Sequence, residues 1–130
     1  MPDTPLLKLA LLGDAAACAA SGLLLAAGAG ALAVPLDLPE GLLRGAGLAL
    51  LPWAAFVGFT GSRAAPARGA VLTIIAVNAL WVLDSLLLAA GAFGLAPGRL
   101  GTAFILAQAT IAGGFTALQI LALRRAAVPA

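Results

Sequence analysis

The sequence predicts an all-α, membrane-embedded four-helix bundle, on the strength of three observations. Of its 130 residues, 63% are hydrophobic and only 9% charged, whereas a soluble domain carries roughly 25% charged residues. The mean hydropathy is +1.13. Four long stretches are nearly free of charge, and each approaches the ~20 apolar helical residues that cross a hydrocarbon core of about 30 Å. A soluble bundle would need a polar stripe on every helix, and these stretches are apolar nearly all round. The length accommodates one transmembrane domain, residues 1–130, with spans expected at 6–34, 45–62, 69–93 and 100–123.

The first span has helical character from Leu6, lacks charge between Asp14 and Asp37, and is expected to end at Pro35 and Pro39. Lys8, a short apolar run and Ala15-Ala16-Ala17-Cys18 loosely imitate a signal peptide or lipoprotein site. Asp14 interrupts that run, and the apolar stretch continues well past Cys18, so a retained helix is expected. The second span lies between Arg44 and Arg63, with Pro52 inside it. A proline there removes a backbone hydrogen bond and predicts a kink. The third span starts near Gly69, after a turn containing Pro66, and is expected to reach Phe93. Pro97-Gly98 breaks the chain before the fourth span, which ends ahead of Arg124-Arg125.

Charge placement predicts orientation. With both termini and the middle turn on one side, that side holds Lys8, Arg63, Arg68, Arg124 and Arg125, leaving Arg44 and Arg99 opposite. Enrichment of Lys and Arg in cytoplasmic loops predicts both termini inside. The same scattered positives, with no basic stripe between aromatics, argue against nucleic-acid binding.

Other classes are excluded by composition. Histidine is absent, which removes imidazole acid–base chemistry and bis-histidine haem ligation. A single cysteine permits no intrachain disulfide and no multi-cysteine metal site. No phosphate-cradling or dinucleotide glycine motif is present, and no histidine or lysine base stands near Cys18, Ser21, Ser62 or Ser85 to activate a nucleophile. No cofactor and no catalytic residue are expected. With no tyrosine, an interfacial aromatic belt would rest on Trp53, Trp81 and a few phenylalanines.

A possible repeat is visible. Leu23–Ala29 recurs as Leu86–Ala92, and Leu32-Ala33 aligns with Leu95-Ala96 at the same offset. The match fits two parallel helical hairpins related by an axis along the membrane normal. It equally fits chance, because Leu, Ala and Gly strings match themselves easily.

Five polar residues are candidates for membrane depth: Asp14, Asn78, Asp84, Gln108 and Gln119. Charge at a bilayer centre costs about 2.5–3.5 kcal/mol on insertion scales, so such groups face protein or water and often mark function. Asp14 shares a helical face with Cys18, Ser21 and Leu25; its closeness to Lys8 also permits a headgroup position. Asn78, Trp81 and Ser85 share a face, with Asp84 on its flank. Gln108 and Gln119 nearly align on the fourth span, and an amide in lipid needs a partner. Asn78 or Asp84 is the expected partner of Gln108. Gly28, Gly30, Gly45, Gly47, Gly113 and Gly114 are candidates for close helix approach.

On Gly13-Asp14-Ala15, Leu43–Leu48, Asn78–Trp81, Leu106–Ala109 and Leu118-Gln119, the chain resembles a group of small uncharacterised bacterial four-helix membrane proteins. The resemblance spans most of the length and implies a fold and a bacterial inner-membrane location, but no activity. Asp14 in the first span also invites comparison with small multidrug-resistance transporters, as an analogy of architecture; that family uses Glu there. The expected partner is the lipid bilayer, with a homo-oligomer or a larger membrane complex. The leading expectation is a non-enzymatic structural or accessory subunit. Its alternative is a small oligomeric transporter or channel for protons or a cationic solute, using Asp14 or Asp84.

Overall fold

A computed structural model describes residues 4–127, with side chains described for residues 5–125. The protein is an all-α four-helix bundle: α1 (Thr4–Leu36), α2 (Glu40–Ser62), α3 (Arg68–Ala89) and α4 (Arg99–Ala127). The described residues contain no strand. All four helices are long and apolar enough to cross a membrane.

Two helix ends show why their boundaries differ from expectation. Helix α1 passes through Pro35 and stops at Leu36, because Asp37 takes a left-handed φ of 53°. The Leu38 N–H donates to Ala33 O and the Asp37 N–H to Val34 O, the pairing of a Schellman cap. Helix α3 ends at Ala89 rather than near Phe93. There Gly91 has φ +83°, the Ala92 N–H donates to Leu87 O, and the Gly91 N–H donates to Leu88 O. Gly91→Ala is expected to cost roughly 1–2 kcal/mol, the penalty of a Cβ in the left-handed region. Unfolding in mixed detergent micelles would measure it, and an unchanged midpoint would refute the glycine's role.

Helix α2 begins at Glu40, earlier than the expected residue 45. Glu40 in the first turn complements the helix dipole and pairs with Arg44 at 2.8 Å one turn on, so these charges extend the helix instead of bounding it. Pro52 sits on an exposed face, and α2 remains continuous around it. Helix α4 outruns its expected range of 100–123 at both ends.

The recurring segments take different structures. Leu23–Ala29 lies inside α1, whereas Leu86–Ala92 runs out of α3 into the Gly91 turn. Leu32-Ala33 is helical and Leu95-Ala96 is not. The match in letters is not a match in local structure, because Gly91 and Gly94 take left-handed φ values at the end of the second copy while Gly28 and Gly30 stay helical.

Helices α1 and α2 pack most closely, α4 packs on both α1 and α3, and α2 scarcely meets α3. Along the α1–α2 seam buried small residues recur seven apart, Ala15, Gly22 and Ala29 on α1 and Gly47, Ala54 and Gly61 on α2, and Gly22 meets Gly47 directly. A Cβ on Gly47 would fall onto the backbone of Ala26, and one on Gly61 would come 2.9 Å from Leu11 Cβ. On α4, a Cβ on Gly101 would strike the Leu36 carbonyl. Of the glycines expected at close approaches, Gly47 alone makes one with another helix's backbone. Gly45, Gly113 and Gly114 face open space, Gly28 meets only leucines of its own helix, and Gly30 meets the Glu40 carboxylate.

Two apolar clusters result. Leu7, Leu11, Val57, Val71, Ile74 and Ala122 fill the end that carries Lys8 and Arg63. Leu25, Leu36, Leu38, Leu43, Leu50 and Ile105 fill the end that carries Asp37 and Glu40. The Lys8 Nζ donates to Arg63 O at 2.6 Å, joining the start of α1 to the end of α2.

Candidate functional site: a buried carboxylate beside a cavity

Polar side chains converge where α1, α3 and α4 face one another. Asp14 is 3% exposed, Asn78 5% and Gln119 0%. Asn78 Nδ2 donates to Asp14 Oδ2 at 2.7 Å, and Gln119 Nε2 donates to the same oxygen at 2.8 Å. Asn78 Nδ2 also approaches Gln119 Oε1 at 3.4 Å, closing a triangle. Asp14 Oδ1 accepts only the Cys18 thiol, at 3.5 Å. These donors suit an ionised carboxylate, since both amides offer N–H to one oxygen.

This geometry corrects the headgroup reading of Asp14. By helical rise the residue lies only ~9 Å beyond Lys8, yet its side chain turns inward and finds protein partners. Each helix presents its polar residue on the buried stripe: Leu7, Leu11 and Asp14 on α1, Val71, Ile74 and Asn78 on α3, Thr116, Gln119 and Ala122 on α4. The turn-by-turn spacing of those neighbours brings the amides to the carboxylate.

A second polar group lies farther along the bundle. The Trp81 Nε1–H donates to Gln108 Oε1 at 2.7 Å. Gln108 Nε2 donates to Ser85 Oγ at 2.8 Å and to Ile105 O at 2.9 Å. Ser85 Oγ in turn donates to Trp81 O at 2.8 Å. Gln108 therefore pairs with Trp81 and Ser85 rather than with Asn78 or Asp84. The expected partner was misplaced because Gln119, about three turns along nearly the same stripe, takes Asn78 instead. Asp84 is exposed and belongs to neither triangle.

Between the apolar clusters lies a cavity of about 370 Å³, lined by all four helices. Asp14, Cys18, Trp53, Asn78, Trp81 and Phe115 are on its wall. Trp53 and Trp81 are thus half-buried around this space, not outward members of an aromatic belt; Phe56, Phe59 and Phe93 are exposed rings. The cavity joins one carboxylate to several aromatic faces, a combination that attracts positive charge. Among the described residues Asp14 has no basic partner, and the ion pair Arg44–Glu40 lies at the far end of the bundle.

Sequence reasoning missed the helix-contact glycines Gly13, Gly22, Gly61 and Gly101. A seven-residue spacing of small side chains would have pointed to the α1–α2 seam, and no comparable signal marks Gly101. Among the described residues no group of His, Cys, Asp or Glu side chains could hold a metal ion.

The fold and the site define a class: an apolar four-helix bundle with a caged internal carboxylate. Protein-family models, curated proteins and solved structures contain no match to the chain.

Proposed function

We propose that the chain is a four-span integral membrane protein whose central cavity takes up a proton or a small cationic solute at Asp14. The observation that carries this reading is the buried carboxylate, held by two neutral amides beside a cavity, with no basic residue paired to it among the described residues. Two amide dipoles stabilise a carboxylate but do not neutralise it. In hydrocarbon an uncompensated charge is costly, so a proton or a cation completes the site. Binding and passage transform no substrate, since a proton taken up on the carboxylate oxygen leaves again as a proton, and the reading is non-enzymatic.

Immersion in lipid is supported by what the helices leave uncovered. No more than 28% of any of the four apolar windows is buried, and Leu23, Val34, Leu80 and Leu100 are exposed. Soluble monomers rarely expose continuous apolar surface on that scale. The chain ends and the 63–67 turn, with Lys8, Arg63, Arg68, Arg124 and Arg125, are placed on the cytoplasmic side, and the membrane is proposed to be a bacterial inner membrane.

Asp14→Asn tests the site. The asparagine oxygen replaces Oδ2 and still accepts both amides, so the bundle should persist while the charge is lost. Proteoliposomes loaded with a pH-sensitive dye and given an acid pulse are expected to acidify with the wild type. With Asp14→Asn the rate should fall to that of protein-free vesicles. Equal rates for the two proteins would defeat the proposal.

A second reading, an accessory subunit of a homo-oligomer or larger complex, is favoured by Gly45, Gly113 and Gly114. These glycines leave open space on the outer surface, where another helix can approach closely. A strictly monomeric particle after mild extraction would count against it.

A further inference from the structure

We propose that the central cavity continues into a second one as a single path along the bundle, and that Trp81 is the gate between them. This rests on the reading of the central cavity as a solute site. The second cavity, about 480 Å³, lies toward the Asp37–Glu40 end and is lined by Leu43, Asp84, Phe93, Leu95 and Phe104 among others. Ser21, Leu50, Trp81, Gln108 and Ile111 line both spaces and so form the partition.

Trp81 is the largest side chain in that partition and the only ring in it. An indole that merely filled the core would meet packed atoms on every side. This one packs on the apolar cluster of Leu25 and Leu50 and also borders both cavities, so its ring has space to turn into. Its latch is a closed set of neutral hydrogen bonds: Trp81 to Gln108, Gln108 to Ser85, Ser85 back to the Trp81 carbonyl. Each such bond contributes only modestly net of its alternatives, which suits a contact that must open. Carboxylates stand on both sides, Asp14 in the central cavity and Asp84 in the outer one. A cation crossing the partition therefore leaves one acidic group and meets another. Gln108 positions the indole.

The chain carries its own reporter. Its single cysteine, Cys18, lines the central cavity and not the outer one. Full-length protein in proteoliposomes would be exposed to a membrane-impermeant trimethylammonium-ethyl methanethiosulfonate, applied separately to each face. From the face bearing Asp37 and Glu40, wild-type Cys18 should label slowly. Trp81→Phe keeps a ring but loses the N–H donor, and labelling from that face should accelerate about tenfold, equivalent to ~1.4 kcal/mol. Trp81→Ala should exceed that, and Gln108→Leu should match the phenylalanine variant. Rates from the opposite face should not change.

Unchanged labelling in Trp81→Phe and Gln108→Leu would overturn the gate, as would equal acceleration from both faces, which signals a loosened bundle. If Trp81→Ala fails to fold, the other two variants carry the test. The readout does not depend on Asp14 binding anything. Normal gating with Asp14→Asn flux equal to wild type would sink the solute site and leave the gate standing.

Discussion

Replacing Gly47 with leucine is expected to force α1 and α2 apart and to be among the most damaging single changes to the bundle. A Cβ at this position lands on the backbone of Ala26, with Gly22 O at 2.8 Å and the Leu25 carbonyl carbon at 2.9 Å. These are main-chain atoms of a helix, so no rotamer change relieves the clash. Overpacking costs about 1–3 kcal/mol and sometimes more; backbone collision places this case at about 3 kcal/mol or above. Gly45→Leu is the matched control, since nothing lies within 4 Å of a Cβ there, and its effect should stay within about 0.5 kcal/mol. Unfolding of both variants in mixed micelles gives the comparison. Coincident midpoints would mean that the helices are not in contact at Gly47.

The second large effect is expected at Gln119, which is fully buried and donates to Asp14. A hydrogen bond between membrane helices averages only ~0.6 kcal/mol. Gln119→Leu does more than delete one, because it removes half of the amide cage around a buried carboxylate. Stripping a partner from a buried charge costs about 3–5 kcal/mol, and that term decides the outcome. The same substitution in an Asp14→Leu background should cost below about 1 kcal/mol, since only the longer contact to Asn78 remains to be lost. A double-mutant cycle on these variants measures the difference. Additive effects would show that the carboxylate and the amide do not act together.

Both expectations depend on contacts at positions where the sequence was only partly informative. Asp14, Asn78 and Gln119 were recognisable as polar groups in apolar surroundings, but their mutual pairing was not. Asp14 and Gln119 are 105 positions apart in the chain, and Gln108 was an equally plausible partner for Asn78 on residue type alone. Trp81 was read as an interfacial anchor because tryptophan favours that region; the amide of Gln108 draws its N–H inward instead. Asp84 was read on the flank of the Trp81 stripe, and it is exposed there, at the edge of the second cavity.

Run length, prolines, glycines and the scatter of charge sufficed to place four helices. These signals are local and act along the chain, so they survive without knowledge of the fold. The choice of buried face did not survive in the same way. A helix in water reveals its core side by alternating polar and apolar residues, whereas α1 and α3 are apolar around nearly their whole circumference. Burial there is settled by shape: where Gly22 meets Gly47, where Gly101 passes the Leu36 carbonyl, and where three amide and carboxylate groups satisfy one another. Such complementarity belongs to pairs of surfaces, and it has no counterpart in the residues taken one helix at a time.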